Sequence, residues 1–242
     1  KTRLNFAENL LRHRDERPAL VSLLENGDRR ELSYSQLYLR VAQLASALRK
    51  LGVAPGDRVA GFLPNIEEAV VAMLAATSMG AVWSSCSPDF GINGVMDRFG
   101  LFQPMVLFAA DGYYYNGKAC DSLQRLAEIR AQIDSIEQVV VVPLLASAPN
   151  LGGIDSAVTF PDFLDPQASE VEFTRLPFDH PLYIMYSSGT TGVPKCIVHG
   201  AGGSLLQHIK EHRLQVDLSR DDVFFYFTTC GWMMWNWLVS GL

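Results

Sequence analysis

Apolar positions change their period repeatedly along the chain, and each change marks an element. Leu37, Val41, Leu44, Ala45 and Leu48 fall at helical spacing within "LSYSQLYLRVAQLASALRKLG" and predict an amphipathic helix. Ser33 or Ser35 is placed to cap its start, and Gly52 to stop it. Ahead of it, "PALVSL" and "ELSY" flank Asn26-Gly27, a hairpin signal. Behind it, residues 58–63 read as a strand. "NIEEAVVAMLAATSMG" reads as a helix capped by Asn65, with two acids in its first turn where the helix dipole favours them. "AVWSSCSP" is the next strand. The rhythm continues with "GVMDRFGLFQP" as helix, "MVLFAAD" as strand and "KACDSLQRLAEIRAQI" as helix. "EQVVVVPLL" is a strand whose consecutive valines suit a position covered on both faces. Strands and helices alternating at this interval predict an α/β fold, a mainly parallel sheet flanked by helices.

Residues 146–180 break the rhythm, being Pro-rich and irregular apart from a short "TFPDFL" element. They suggest a boundary, with residues 1–178 as a first α/β sub-lobe that includes the N-terminal hairpin. Residues 179–242 would then begin a second sub-lobe, resuming with the strand "PLYIMYSS".

Composition narrows the function classes. The chain has 242 residues, enough to bury a sizeable core, and 48% hydrophobic content excludes wholesale disorder. A net charge of −6 with no basic run argues against nucleic-acid partners and against attraction to membrane surfaces. The longest apolar region, residues 69–82, contains Thr77, Ser78 and Gly80 and is too short to span a bilayer. Cys86, Cys120, Cys196 and Cys230 are scattered without zinc spacing, so no metal site is expected. They read as free thiols in a reducing, cytosolic setting. The N-terminus has neither an apolar signal core nor an initiator Met. The end falls inside the apolar run "WNWLVSGL". The expectation is therefore a piece of a longer protein, since such an end would leave core surface open.

The densest chemistry lies in "YIMYSSGTTGVPKCIVHG". Backbone N–H groups in a Gly-rich turn can converge on an anion, and hydroxyls add donors. Glycine lets the backbone approach phosphate oxygens without a Cβ clash. Ser187, Ser188, Gly189, Thr190, Thr191, Gly192 and Lys195 thus read as a phosphate cradle ending in a point charge. A Walker A loop shares the outer spacing of Gly189 and Lys195, but here Pro194 replaces its glycine and Cys196 its Mg²⁺-binding hydroxyl. A Walker loop also opens a helix, whereas this one is followed by the β-type run "CIVH". The element is strand, loop, strand.

"YSSGTTGVPKCIVH" resembles, along its whole length, the phosphate loop of the AMP-forming acyl-CoA synthetases, members of the adenylate-forming superfamily. The stretch from "LSYSQLYLRVAQLASALRKLG" to "SMGAVWS" resembles the N-terminal lobe of their short-chain members, and "LNFAENLL", "FAADGYYYNGK", "HGAGGSLLQHIKEH" and "CGWMMWNWLVSGL" extend the likeness over nearly all the chain. The resemblance implies ATP, Mg²⁺ and coenzyme A as cofactors and co-substrates, and a small-molecule carboxylate as partner. The acid would attack the α-phosphorus of ATP, and CoA would then displace AMP. Lys195 and Thr190 would serve the chemistry, the loop holding the β- and γ-phosphates. No side-chain ligand for Mg²⁺ is evident.

Two further clusters gain a reading from that resemblance. "GWMMWNW" packs three indoles and two thioethers into six residues, a composition that also suits core packing. The resemblance makes Trp232 a wall of the acyl pocket, with Met233 and Met234 beside it. Acetate-activating relatives run G-W-x-T-G-H here, so Met234, Trp235 and Asn236 depart from them and favour a different short acid, of four carbons. Asn236 could donate to a 3-oxo group. In "DGYYYNGK", Tyr115 and Lys118 stand where those relatives carry two arginines for a CoA phosphate. Lys118 keeps one of the charges. His199, ending the strand after the loop, reads as a polar support for it.

Overall fold

The computed structural model describes residues 2–187 and 194–242. Strand β1 (Arg3–Leu4) and helix α1 (Phe6–Leu10) lead to the hairpin of β2 (Pro18–Leu23) and β3 (Arg29–Ser33). Its turn carries Gly27 at φ +90°, the left-handed conformation that glycine adopts without strain. Ser33 rather than Ser35 caps α2 (Tyr34–Leu51): Ser33 Oγ accepts from the Gln36 N–H, and the Gln36 side chain accepts from the Ser33 N–H. That reciprocal capping box satisfies two otherwise orphan donors. Gly52, at φ +102°, ends the helix as expected.

Strand β4 (Arg58–Phe62), helix α3 (Glu67–Ser78), strand β5 (Val82–Cys86), helix α4 (Ile92–Phe102) and strand β6 (Val106–Ala110) follow the predicted alternation. Asn65 is not the cap of α3. Ile66 holds that position with no side-chain bond, and Asn65 Oδ1 instead accepts from Trp235 Nε1 at 2.9 Å. Helix α3 is buried along its whole length, which its nearly unbroken apolar sequence requires. Its first-turn acids, Glu67 and Glu68, are paired to Arg30 of β3 at 3.0 and 3.2 Å.

The helix expected over "KACDSLQRLAEIRAQI" starts late. Its first residues form strand β8 (Lys118–Asp121), paired antiparallel with β7 (Gly112–Tyr115), and only then does α5 (Leu123–Gln132) begin. Asn116 and Gly117, at φ +51° and +73°, make the tight turn that forces this hairpin. Strand β9 (Gln138–Val142), the short β10 (Ala157–Thr159), helix α6 (Phe160–Phe163) and β11 (Leu176–Pro177) come next. Strand β12 (Pro181–Ser187), strand β13 (Lys195–Gly200), helix α7 (Ala201–Lys210), a π-helical turn at Glu211–Gln215 and helix α8 (Met233–Val239) complete the chain.

Seven strands make one sheet in the order β10-β9-β6-β4-β5-β12-β13. All neighbours are parallel except the edge pair β12–β13. The valines of β9 show why both faces are buried: Val140 and Val142 join the core beneath α1, α2 and α3, while Val139 and Val141 join the core beneath α4 and α5. Each such side chain contributes roughly 1.5–3 kcal/mol by leaving water. One packing choice excludes any side chain. A Cβ on Gly61 of β4 would lie 2.7 Å from two ring atoms of Trp83 on β5.

Candidate active site

The parallel strands β4, β5, β6, β9 and β12 end at one edge of the sheet. In open α/β sheets ligands bind outside these carboxyl ends. Strand β12 is stitched to β5 less by ladder pairing than by a side chain: Ser84 Oγ donates to the Ile184 carbonyl and shares a hydrogen bond with the Tyr186 hydroxyl, each at 2.9 Å. Burial raises the Tyr186 hydroxyl well above its ordinary range, so it stays protonated. The strand then delivers Ser187 to the sheet edge, where it pairs with Lys195 across the antiparallel ladder. The chain thus leaves and re-enters the sheet as strand, loop, strand. Ser188, Gly189, Thr190, Thr191 and Gly192 lie outside the described residues. Lys195 itself is exposed.

Beyond the hairpin, β13, α7 and α8 border an open cavity of about 600 Å³, within the range of small-molecule sites. Val198 and His199 line it from β13, Ser204 and His208 from α7, and Met233, Met234 and Trp237 from α8. Three bonds hold the last helix in place. Trp235 is fully buried with its Nε1 on Asn65, the Ser85 hydroxyl donates to the Cys230 carbonyl at 2.6 Å, and His212 Nε2 lies 3.0 Å from the Trp237 carbonyl. Phe224 and Tyr226 pack their rings on Trp237 from behind, at 5.1 and 5.8 Å.

Burial holds the tyrosine and the histidines of the cavity in their neutral forms. It pushes Tyr183 up to about 12, with the Ser204 hydroxyl pulling the other way. His208 is pushed down to about 4 by burial, with His212 and His199 adding like-charge repulsion. His199 is also lowered by burial, and its ring lies against Tyr183 at 5.4 Å. It sits opposite Tyr183 in the ladder, on the strand that returns from the loop.

The expected site residues separate into groups. Met233 and Met234 do face the cavity. Trp232, 66% exposed, stands just before α8 and does not line it. Asn236 is buried with its Nδ2 3.3 Å from Met185 Sδ, beside a separate void of about 10 Å³. Tyr115 and Lys118 pair at the exposed tip of the β7–β8 hairpin, not on a helix. That hairpin follows β6, three strand spacings or about 14 Å across the sheet from β12. It shares the sheet edge with the β12–β13 hairpin but not the cavity.

The profile of the AMP-binding enzymes matches residues 6–242. The chain belongs to the AMP-binding enzyme family. Among curated relatives of the chain, the acetoacetyl-CoA synthetase of Gallus gallus is 49% identical over all of the chain and 37% of its own length. The malonamoyl-CoA synthetase of Penicillium aethiopicum is 45% identical over 99% of the chain and 35% of its own length. The solved acetoacetyl-CoA synthetase from Streptomyces lividans superposes with a TM-score of 0.93 at 46% identity, over 99% of the chain and 37% of that structure. The chain therefore spans little more than a third of the length of the relatives it matches.

Sequence reasoning missed three features of the site. His208 escaped because α7 was not delineated, although His208, Glu211 and His212 at helical spacing were its signal. Asn65 was read locally as a cap, and no local signal links it to Trp235, 170 positions away. Asp111 was read as the end of a strand. It is buried and accepts the backbone N–H groups of Leu144, Leu145 and Ala146 at 2.8, 2.9 and 2.8 Å, tying the base of the β7–β8 hairpin to the loop after β9.

Proposed function

We propose that a protein carrying this chain activates acetoacetate to acetoacetyl-CoA through an acyl-adenylate, using ATP and coenzyme A and releasing AMP and pyrophosphate. One observation carries the reading. Strand β13 starts at Lys195, the foot of the phosphate hairpin, and its Val198 and His199 then form a wall of the 600 Å³ cavity that Met233 and Met234 also line. An anion-holding loop and a pocket for a small acid meet on the same strand.

In the first step a carboxylate oxygen of the acid attacks the α-phosphorus, and the bond to the pyrophosphate oxygen breaks. Charge grows on the departing pyrophosphate. The Lys195 ammonium opposes that charge, and Ser187, Ser188, Thr190 and Thr191 supply hydroxyl donors. Gly189 and Gly192 let the backbone come close. In the second step the CoA sulfur attacks the acyl carbon and AMP leaves. Tyr115 and Lys118, on the same sheet edge, are placed to meet the far end of a long ligand such as CoA. Met233 and Met234 offer soft apolar surface to the acid. Trp232 and Asn236 flank them in sequence, but the pocket assignment rests on the two methionines. Among the described residues no three His, Cys, Asp or Glu side chains gather to hold a metal. No step is assigned to Mg²⁺.

By itself the chain is proposed to release no AMP. It spans 37% of the length of its acetoacetyl-CoA synthetase relatives, and adenylation needs both reactants fixed in place. A second reading takes malonamate as the acid, on the strength of the malonamoyl-CoA synthetase relative. The test is AMP release from ATP, Mg²⁺ and CoA with acetate, acetoacetate, malonamate, butyrate and a long fatty acid. It is run on this chain and on a polypeptide of the relatives' length that carries it. The expected result is AMP from the longer protein with acetoacetate preferred, and none from the chain alone. AMP from neither would overturn the ligase reading, and AMP from the chain alone would overturn its dependence on the rest.

A further inference from the structure

Two polar side chains at the cavity are already engaged. Gln207 Nε2 donates to Glu211 Oε1 at 2.8 Å, and Lys210 Nζ holds the same oxygen at 2.9 Å. The His199 ring lies against the Tyr183 ring. His208 differs. It is 7% exposed, its ring borders the cavity, and its Nδ1 is sealed from solvent with no hydrogen-bond partner among the described residues. Of its two ring nitrogens, only Nδ1 is sealed in this way. A buried N–H without an acceptor is costly. The proton is therefore held at less cost on Nε2, which makes Nε2–H the donor available to the cavity.

We propose that His208 is a specificity-determining residue, its Nε2–H donating to a carbonyl oxygen on C3 of the acid. The inference rests on the ligase reading above and deepens it, because it defines the substrate class as short acids with a carbonyl on the third carbon. Acetoacetate and malonamate both carry that carbonyl and differ only in a methyl or an amino group beyond it. Butyrate has the same four carbons and lacks it. Burial keeps the imidazole neutral at pH 7, so it offers the oxygen a single N–H rather than a charge. Met233, Met234 and Trp237 supply the apolar remainder of the wall. A site built to hydrogen-bond a substrate oxygen rejects the analogue without it, because the protein's own donor is then left unpaired.

The experiment measures kcat/KM for acetoacetate, malonamate and butyrate, by AMP release, in the polypeptide of the relatives' length. The variants are His208→Leu, which removes the donor, and His208→Gln, which restores an N–H near the position of Nε2. The expected result is a fall of roughly tenfold or more in the acetoacetate-to-butyrate ratio for His208→Leu, with the malonamate ratio falling in parallel and His208→Gln recovering part of both. A ratio that stays fixed in both variants, whether all acids lose activity together or none does, overturns the role of His208 and leaves the ligase reading intact. Absence of AMP with every acid in the unmutated protein overturns both. Should His208→Leu fail to fold, His208→Phe, which keeps a ring and lacks the donor, decides: a ratio shifted toward butyrate supports the contact, and an unchanged ratio with a lowered melting temperature assigns His208 to packing.

Discussion

Ser187 and Lys195 are direct partners across the β12–β13 ladder, so the intervening loop leaves and returns at one point on the sheet edge. Antiparallel partners stand about 5 Å apart. A serine and a lysine thereby stand side by side on the backbone at the foot of the loop. The Lys195 side chain is exposed and contributes little to the core. Lys195→Ala should therefore change stability by no more than about 0.5 kcal/mol. It should lower kcat/KM for ATP on the order of a hundredfold, the usual loss when a donor to developing charge is removed. Paired melting curves and ATP kinetics on the longer polypeptide check this. Unchanged nucleotide kinetics would remove Lys195 from the mechanism.

Asp111 holds the tip-bearing hairpin in register with the rest of the edge. Its carboxylate accepts three consecutive backbone N–H groups, those of Leu144, Leu145 and Ala146. Its own carbonyl accepts from the Ser122 N–H at 2.9 Å, closing the base of the β7–β8 hairpin. Asp111→Ala strands those donors and should cost about 3 kcal/mol. Asp111→Asn keeps the shape and one acceptor oxygen and should cost about half as much. Urea midpoints at constant m-value measure both. Equal midpoints for Asp111→Ala and the parent would mean that water satisfies the loop as well as the carboxylate does.

Trp235 and Asn65 position the methionines indirectly. The indole N–H is bound to Asn65 Oδ1, and the buried ring anchors α8 against the end of β4. Trp235→Phe and Asn65→Ala should each cost about 1–2 kcal/mol. The double variant should cost less than the sum, since one bond is lost in both. A strictly additive thermodynamic cycle would show that the two residues do not act together. The acid's KM should rise in both single variants, because Met233 and Met234 belong to the helix the bond holds.

How much of this was legible in the sequence depended on distance along the chain. The alternation of Val139, Val140, Val141 and Val142 between two cores follows from strand geometry alone, and the parallel sheet from the alternation of strands with helices. Ser33 and Gly52 bracket α2 by local chemistry that acts within three residues. The strand–loop–strand reading around Lys195 rested on the apolar runs on either side, and the ladder has that form. The β7–β8 hairpin was missed although Asn116-Gly117 announced it, because the helical period of α5 was extended backwards across it. Asn65 shows the opposite limit. Its position before a helix suggested a cap, but a buried indole N–H from a remote helix competes for the same oxygen and wins. The cavity was the least legible feature, since it exists only where β13, α7 and α8 meet.

The buried histidines predict how stability responds to acid. His208 titrates near 6.5 when unfolded and is pushed down to about 4 in the folded protein, by burial first and then by His212 and His199. Between those values the unfolded chain binds more protons, so stability rises with pH across the window. The contribution is complete above about pH 7 and is lost as pH falls from 6.5 toward 4. Its size is on the order of 3 kcal/mol. His199 and His212 are lowered too, each mainly by burial, and act with the same sign. Glu68 acts in the opposite sense, because burial and the neighbouring Glu67 raise its carboxyl against the pull of Arg30. The comparison that isolates His208 is therefore the urea midpoint at pH 7.0, 5.5 and 4.5 for the parent and for His208→Gln. The parent should lose stability over that range more steeply than the variant. Parallel slopes would mean that the His208 imidazole titrates as it does in water, and the sealed environment described for it would be wrong.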